Sequence, residues 1–209
     1  MTGGFQCSLL DLADVIGLGP LGPSVRRTPL TQGAWIDIRP QWILGADQLF
    51  VRLSQCVPWQ AERRHMYDRV VDVPRLLSFY DEDQILPDPV LDEAVQALDA
   101  QYGGELGERF RTAGLCFYRD GRDSVAWHGD RIGRGKTEDT MVAIISVGAP
   151  RGLALRPRGG GPTLRYELGH GDLIVMGGSC QRTWEHAILK TARPVGPRIS
   201  VQFRPTGVR

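Results

Sequence analysis

The chain has 209 residues, of which 42% are hydrophobic and 23% are charged, so it is long enough to bury a sizeable core and fits a single domain. Its formal net charge of +1 excludes a protein that holds nucleic acid through overall positive charge, so any contact with nucleic acid must be local. The four cysteines have no paired spacing, which excludes a zinc knuckle and a disulfide framework.

The cellular compartment and the oligomeric state are predicted from features that the sequence lacks. Unpaired cysteines indicate a reducing compartment, and the first residues show no basic region followed by an apolar segment. No apolar run reaches the roughly 18 residues of a membrane-spanning helix. We therefore expect a cytoplasmic protein without a membrane span. We also expect a monomer, because no heptad pattern or long apolar edge demands a partner subunit.

The N-terminal part mixes irregular and regular segments. Residues 1–32 are rich in Gly, Pro and Ser and predict a loosely packed N-terminal arm, with a short helical stretch at 9–16. The segment AWIDIR, Ala34–Arg39, alternates like a strand, and residues 46–53 have the apolar spacing of a helix. The first ordered elements are therefore expected to be mixed.

A polar segment, a helix and a series of strands follow. Residues 59–83 predict surface loops and a hairpin of the kind that covers a site. Residues 90–101 place apolar side chains at the spacing of an amphipathic helix that packs on a sheet. From residue 115 onward, short strand-like segments alternate with Gly and Pro, which favours a β-sandwich or barrel. The sequence thus predicts an α+β protein dominated by an antiparallel β core.

Three side chains in the last third form a candidate metal site. A strand-like segment ends at His128 and would deliver His128 and Asp130 to one side, because side chains alternate along a strand. His186 begins another strand-like segment and would complete the set from a neighbouring strand. Two imidazoles and one carboxylate suit ferrous iron and leave positions open for oxygen and a co-substrate. The alternative for His186 is a core histidine bonded to a backbone carbonyl.

The other two histidines are expected to play no part in metal binding. His65 lies in the polar segment, and His170 lies in a Gly-His-Gly-Asp turn. Both are therefore predicted to be surface or turn residues rather than ligands.

Two arginines and a tyrosine form a candidate anion site. Arg198 and Arg204 are six residues apart on one predicted strand and therefore face the same side. A guanidinium inside a barrel is costly unless an anion shares the cavity, and a dicarboxylate co-substrate would meet that need. Arg198 could pair with a terminal carboxylate through two hydrogen bonds, and Tyr118 could donate another. The alternative is that both arginines lie on the surface of an edge strand.

Four motifs follow one another in register between residues 115 and 205. They are YRDGRDSVAWHGD at 118–130, SVGAPRGLALRPR at 146–158, GHGDLIVMGGSCQRTWEHAILKT at 169–191 and PRISVQFRP at 197–205, with a weaker echo at 58–59 and in VPRLLSFYDED at 73–83. Together they resemble the AlkB family of Fe(II)- and 2-oxoglutarate-dependent dioxygenases. The resemblance implies a double-stranded β-helix core of the jelly-roll type, with an N-terminal helix and a nucleotide-recognition lid.

The resemblance also implies a division of the chain and a set of cofactors. One catalytic domain would span 33–209, with the helix and lid region in 33–110 and the β core in 111–209. The three candidate metal ligands would bind Fe(II), and 2-oxoglutarate and O2 would be co-substrates. Arg198 would pair with the distal carboxylate of 2-oxoglutarate, Tyr118 would bond to the same molecule, and Arg204 would lie near its other end, beside the substrate.

The implied activity is oxidative removal of N-alkyl groups from damaged bases of DNA or RNA, which is direct repair of alkylation damage. A base inside a duplex cannot reach a buried metal and must be extruded and stacked. We expect Phe79 and Tyr80 to bind the substrate by stacking on the base, opposite the His128 ring. A local basic cluster that could follow the phosphates consists of Arg63, Arg64, Arg69 and Arg75.

Two departures from the family pattern concern the co-substrate and the base. Many members have Asn-x-Tyr where this chain has Cys116-Phe117-Tyr118, so one polar contact to the co-substrate is expected to be missing. Members often carry acids just after the His-x-Asp motif, where this chain has Arg131, Ile132 and Gly133. A preference for methylated adenine or cytosine is therefore not predicted.

Two other functions remain open on sequence grounds. The same core could hydroxylate or demethylate a protein side chain or a small molecule, which the altered residues after Asp130 favour. A non-catalytic β-barrel that merely holds a metal is the third reading, and Arg198 and Tyr118 count against it. DNA and RNA, single and double strands, and the preferred lesion are not distinguished.

Overall fold

The computed structural model describes residues 16–66 and 69–208, without the side chains of residues 64–66 and 69–71. The three α-helices in that part of the chain are α1 Ala46–Cys56, α2 Pro89–Leu106 and the short α3 Cys180–Thr183. The strands are β1 Gly17–Leu18, β2 Arg26–Pro29, β3 Ala34–Arg39, β4 Ile43–Leu44, β5 Gln60–Met66, β6 Arg69–Tyr80, β7 Thr112–Tyr118, β8 Val125–His128, β9 Val142–Gly148, β10 Arg151–Pro157, β11 Leu164–Leu168, β12 Asp172–Gly178, β13 Trp184–Ile188 and β14 Arg198–Arg204.

The strands form two main antiparallel sheets. The major sheet has eight strands in the order β2-β3-β12-β9-β14-β7-β6-β5, and the minor sheet has four in the order β11-β10-β13-β8. One hydrophobic cluster joins the inner faces of both sheets, with Ile174 from β12 and Leu155 from β10 among its members. A second cluster joins the other face of the major sheet to α1 and α2. The molecule therefore has three layers: helices, major sheet and minor sheet.

The central strand β14 shows how the sequence divides these layers. Its residues Ile199, Val201 and Phe203 belong to the cluster that packs against the helices. The alternate residues, Arg198 to Arg204 in steps of two, are polar and point the opposite way because side chains alternate along a strand. A row of polar side chains thus lines the space between the two sheets.

The predicted elements after residue 33 are largely confirmed. The strand Ala34–Arg39 has the expected bounds, and the two predicted helices are each longer than their periodic segments. Helix α2 begins after Asp88, whose carboxylate accepts a hydrogen bond of 3.1 Å from the Val90 amide, and ends at Gly107 in the left-handed conformation. The capping residues therefore extend the helix beyond its apolar pattern.

Two segments are more ordered than their composition predicts. Strand β2 pairs with β3 and β1 pairs with β4, so residues 16–32 are built into sheets rather than forming a loose arm. The predicted helical stretch at 9–16 lies outside the described residues, apart from Ile16. The polar segment forms the β5–β6 hairpin, and β6 pairs with β7 as an extension of the major sheet. Backbone pairing with a preformed edge overrides the polar composition of these segments.

No helix in residues 16–66 and 69–208 is both long enough and apolar enough to cross a membrane.

Replacing Leu49 in α1 by alanine is expected to lower the free energy of unfolding by about 3 kcal/mol, because this side chain is fully buried between the helix and the major sheet. Urea unfolding followed by circular dichroism measures the change. Val51 on the same helix is 48% exposed, so Val51→Ala is the matched control and should stay within about 0.5 kcal/mol of wild type. Equal losses in the two variants would contradict the packing of α1.

Candidate metal centre and co-substrate pocket

The three predicted metal ligands meet at the inner edge of the minor sheet. His128 ends β8 and pairs in register with His186 on β13, while Asp130 follows two residues later. One ligand atom from each of the three lies within 4.8 Å of the other two. The His128 Nε2 atom is 3.4 Å from Asp130 Oδ1, and the imidazole centroids are 4.2 Å apart. The structure thus brings all three side chains to one point.

The surroundings of the two imidazoles orient His128 and keep His186 neutral. The His128 Nδ1 atom lies 2.8 Å from the Ala126 carbonyl oxygen and donates to it, so Nε2 is the nitrogen that faces Asp130. Burial, together with the nearby His128 ring, lowers the pKa of His186 to about 3. The His186 ring therefore does not need to lose a proton when a metal binds near neutral pH.

Asp130 is held as a carboxylate by the charges around it. Burial alone would raise its pKa, but the charge of Arg204, with smaller contributions from the neighbouring His186 and His128 imidazoles, brings the pKa of Asp130 well below its usual value. The Arg204 Nε atom donates to Asp130 Oδ2 at 2.8 Å, and the Asp130 amide donates to the side chain of Gln181 at 3.0 Å. Oδ2 is thereby engaged, while Oδ1 faces the imidazoles.

This donor set fits Fe(II). Two neutral imidazole nitrogens and one carboxylate oxygen, with no thiolate among them, are the ligands of the facial triad that holds non-haem ferrous iron. The second contacts of His128 and Asp130 fix the orientation of each ligand. The residues present would therefore hold Fe(II) on one face and leave the opposite positions open.

A second feature of the space between the sheets is a buried cation without an anion. Arg198 is 1% exposed, and its Nε atom donates to Ser146 Oγ at 2.8 Å. Its buried Nη1 atom has no hydrogen-bond partner, and no carboxylate in residues 16–66 and 69–208 forms an ion pair with it. Burial lowers the pKa of Arg198, because the charged guanidinium loses its contact with water. An unpaired buried guanidinium requires an anionic ligand.

Tyr118 adds a donor to this anion site. It pairs in register with Arg198 across β7 and β14, and the guanidinium carbon lies 5.3 Å from the centroid of its ring. Burial raises the pKa of Tyr118, so its hydroxyl keeps its proton at neutral pH. The pocket therefore offers one cation and one neutral hydroxyl donor, which suits a carboxylate of 2-oxoglutarate.

Arg204 has partners that the sequence did not predict. Its Nε atom donates to Asp130, and its Nη2 atom donates to Gln202 Oε1 at 2.8 Å. That it lies near the second end of the co-substrate and beside the substrate stays a prediction. The alternation of side chains along a strand correctly predicted the face of β14 on which Arg204 lies. Its partner depends on how β14 packs against the segment that follows β8. Arg204 therefore supports a metal ligand.

The two predicted stacking aromatics point to opposite faces of the major sheet. Tyr80 packs against the cluster on the helix side, away from the metal ligands. Phe79, its neighbour on β6, pairs with Gly114 and is 39% exposed. Because neighbouring side chains on a strand alternate, a single strand could never present both to one ring. The structure thus leaves Tyr80 outside the site.

The basic cluster in the hairpin is only partly available for phosphates. Arg63 donates to Asp72 at 2.9 Å on the surface. Arg75 is half-buried and donates to the Ser124 carbonyl oxygen at 3.0 Å. The side chains of Arg64 and Arg69 are outside the described part. Half of the cluster therefore already has a protein acceptor.

His170 lies in the turn before β12, as expected. Its Nδ1 atom accepts a hydrogen bond of 2.7 Å from the Gly148 amide, and its Nε2 atom lies 3.1 Å from the Asp47 carboxylate. It thereby ties the turn before β12 to α1. The side chain of His65 lies outside the described residues.

Sequence reasoning missed three polar residues that support the site. Ser146 is a lone polar residue inside the apolar strand β9, and this interruption was a readable signal. Gln202 lies between Arg198 and Arg204 on the inner face of β14, and the alternation of side chains along the strand also indicated this position. Gln181 on α3 had no such signal, because its contact with Asp130 spans 51 residues.

The geometry of the metal and co-substrate sites agrees with the family whose sequence model matches this chain. The sequence model of the family described as the 2OG-Fe(II) oxygenase superfamily matches residues 80–204, which include every predicted ligand of the metal and of 2-oxoglutarate. The chain belongs to the 2OG-Fe(II) oxygenase superfamily. Fe(II), 2-oxoglutarate and O2 are therefore its cofactor and co-substrates, as predicted.

Several of the similar curated proteins are AlkB homologues. Human "Alpha-ketoglutarate-dependent dioxygenase alkB homolog 3" is 28% identical over 208 residues, which cover 90% of this chain and 68% of that protein. "DNA oxidative demethylase ALKBH2" of Arabidopsis thaliana is 32% identical over 134 residues, which cover 52% of this chain and 42% of that protein. The predicted resemblance to the AlkB family is thus confirmed.

Solved structures confirm the fold of this 2OG-Fe(II) oxygenase. "The structure of OsALKBH1" aligns with a TM-score of 0.56 and 12% identity, covering 86% of this chain and 100% of that one. A 2OG-Fe(II) oxygenase family oxidoreductase from Burkholderia pseudomallei aligns with a TM-score of 0.50 and 15% identity, covering 76% of each chain. The β-dominated jelly-roll core expected from the sequence is therefore correct.

Replacing Arg204 by methionine is expected to weaken metal binding by about 10–100-fold, because the buried carboxylate of Asp130 loses its oriented partner. Calorimetric titration with Co(II), a stand-in for Fe(II) that does not turn over, measures the dissociation constant. Arg156 is paired with Glu185, so Arg156→Met is the control and should bind Co(II) like wild type. Unchanged affinity in Arg204→Met would contradict this role.

Replacing Arg198 by methionine is expected to raise the KM for 2-oxoglutarate by about 100-fold, since losing one partner of a buried charge pair costs about 2–5 kcal/mol. The rate of succinate formation at increasing 2-oxoglutarate concentrations gives this value. Arg63 is exposed and paired with Asp72, so Arg63→Met should leave the KM unchanged. A normal KM in Arg198→Met would place the co-substrate carboxylate elsewhere.

Proposed function

We propose that this 2OG-Fe(II) oxygenase removes N-alkyl groups oxidatively from damaged bases of nucleic acid. The observation that carries the proposal is the similarity to AlkB homolog 3 over 90% of the chain, together with a metal triad beside a buried unpaired arginine. Similarity to proteins named DNA oxidative demethylase supports the same chemistry. The activity is direct repair of alkylation damage in DNA, or in RNA.

The reaction couples two oxidations. When bound, Fe(II) with 2-oxoglutarate and O2 supplies an oxidant that hydroxylates a C–H bond of the substrate. One oxygen atom is incorporated into succinate as 2-oxoglutarate loses CO2, and the other enters the N-alkyl carbon. For a methyl group, the resulting N–CH2OH breaks at its C–N bond, which releases formaldehyde and returns N–H to the base. Atoms balance without a further reductant.

The side chains of this protein bind and orient the reactants. Arg198 holds the distal carboxylate of 2-oxoglutarate, and Tyr118 donates to the same molecule. His128, Asp130 and His186 would hold the metal. The buried walls between the sheets exclude water from the reacting atoms.

The base enters from the side where His128 is partly exposed. An extruded base would stack on the His128 ring, whose side chain is 37% exposed, with Phe79 on its other side. The β5–β6 hairpin, which carries Phe79, acts as the lid. Ile132 is 71% exposed two residues after Asp130 and offers no carboxylate to a base, so selection among lesions must depend on shape and stacking.

The remaining proposals concern organisation. Residues 33–209 form one catalytic unit, in which 33–110 supply the helix and lid region and 111–209 supply the β core. The protein acts as a monomer in the cytoplasm. Its partner is alkylated DNA or RNA. Because its net charge is small, the protein binds this substrate only through local contacts.

The experiment is succinate formation from 2-oxoglutarate by anaerobically iron-loaded protein exposed to air. Turnover is compared with a methylated single-stranded oligonucleotide, with its unmethylated copy, and with no oligonucleotide. Stimulation by the methylated strand alone, with formaldehyde released in equal amount, is expected. Asp130→Ala should abolish turnover because the metal loses its carboxylate ligand. Turnover that no methylated DNA or RNA stimulates would contradict the proposal and indicate a protein or small-molecule substrate.

A further inference from the structure

The side chain of Gln202 connects the metal ligands to the co-substrate side of the pocket. Its Oε1 atom accepts a hydrogen bond of 2.8 Å from Arg204 Nη2. Its Nε2 atom donates to Ser200 Oγ at 2.9 Å and lies 3.3 Å from Cys116 Sγ. Since Arg204 in turn donates to Asp130, Gln202 lies one residue away from a metal ligand.

The orientation of the Gln202 amide follows from its neighbours. An arginine can only donate hydrogen bonds, so the atom that faces Arg204 must be the oxygen Oε1. The amide nitrogen then faces Ser200 and Cys116, both of which can accept. The amide is therefore fixed in one orientation by partners on both sides.

The position of the Arg204 guanidinium is also restricted by β7. A Cβ atom at Gly114 would lie 2.9 Å from Arg204 Nη1, so the guanidinium lies directly over this glycine. Nη1 also lies 3.4 Å from the Gln202 carbonyl oxygen. The group is thus confined between the backbone of β7 and the residues of its own strand.

This geometry determines how many hydrogen bonds Arg204 can make to Asp130. The Nε and Nη2 groups of an arginine point to the same side and favour bidentate pairing with both oxygens of a carboxylate. In this protein Nη2 donates to Gln202 Oε1, and Nε donates to Asp130 Oδ2. Because Nη2 carries two N–H groups, Gln202 acts by holding Nη2 away from Asp130 rather than by using up its donors. Oδ1 therefore keeps its lone pairs directed towards His128, from which it is 3.4 Å away.

We propose that Gln202 is a positioning residue, which prevents bidentate pairing of Arg204 with Asp130 and so keeps Asp130 Oδ1 available to the metal. Without the amide, Arg204 would engage both oxygens, and the metal would have to compete with a buried ion pair for its carboxylate ligand. The inference concerns metal binding and is independent of which substrate the enzyme accepts. It can therefore fail while the proposed dealkylation stands, and the reverse also holds.

The test compares Gln202→Leu, which removes both the acceptor and the donor, with Gln202→Glu, which keeps an acceptor for Arg204 Nη2. Co(II) binding to each apo protein is measured by calorimetry and by visible absorption, and thermal unfolding of the metal-free proteins is measured in parallel. Gln96 lies on the exposed side of α2, so Gln96→Leu is the matched control.

Gln202→Leu is expected to bind Co(II) about tenfold more weakly, at the low end of the 10–100-fold effect of residues that support metal ligands. Gln202→Glu should bind within about threefold of wild type, and the apo form of Gln202→Leu should unfold at the same temperature as Gln96→Leu. Wild-type affinity in Gln202→Leu would overturn the proposal. Equal losses of affinity in Gln202→Leu and Gln202→Glu, accompanied by a lower unfolding temperature in both, would also overturn it and indicate a merely structural amide.

Discussion

The space between the two sheets holds guanidinium groups whose charge must be balanced, and this requirement organises the site. Arg204 is balanced by Asp130, which is thereby kept ionised and oriented as a metal ligand. Arg198 has no such partner in the described chain, so its balance must come from a bound anion. Arg204 thus orients the carboxylate that binds the metal, and Arg198 provides a positive charge for the carboxylate of the co-substrate.

The three-layer packing allows these charges to be buried. Strand β14 lies between β9 and β7 in the major sheet, and its apolar residues are covered by the helices. Because that face supplies hydrophobic contacts, the opposite face can carry a row of polar side chains without losing the strand. The minor sheet covers this row and brings His128 and His186 to it, so the metal ligands and the arginines approach each other from opposite sheets.

One departure from the family pattern, Cys116, belongs to the hydrogen-bond network that supports the metal site. Cys116 and Ser200 pair in register across β7 and β14, and both contact the amide of Gln202. The position where an asparagine is common in the family thus contributes a thiol to a network that ends at Asp130. A change in one residue of this pocket therefore bears on the orientation of a metal ligand as well as on the co-substrate.

The sequence by itself determined the elements, the metal triad and the face of each arginine, because these depend on local periodicity and on ligand chemistry. It also contained the alternation that separates Phe79 from Tyr80. Only the tertiary structure decided that residues 16–32 join the sheets, that Arg204 binds Asp130, and that Gln202 holds Arg204. The alternation of side chains along a strand fixes the side on which a residue lies. Its partner depends on how the two sheets pack, and in the case of Arg204 and Asp130 this packing joins residues 74 positions apart.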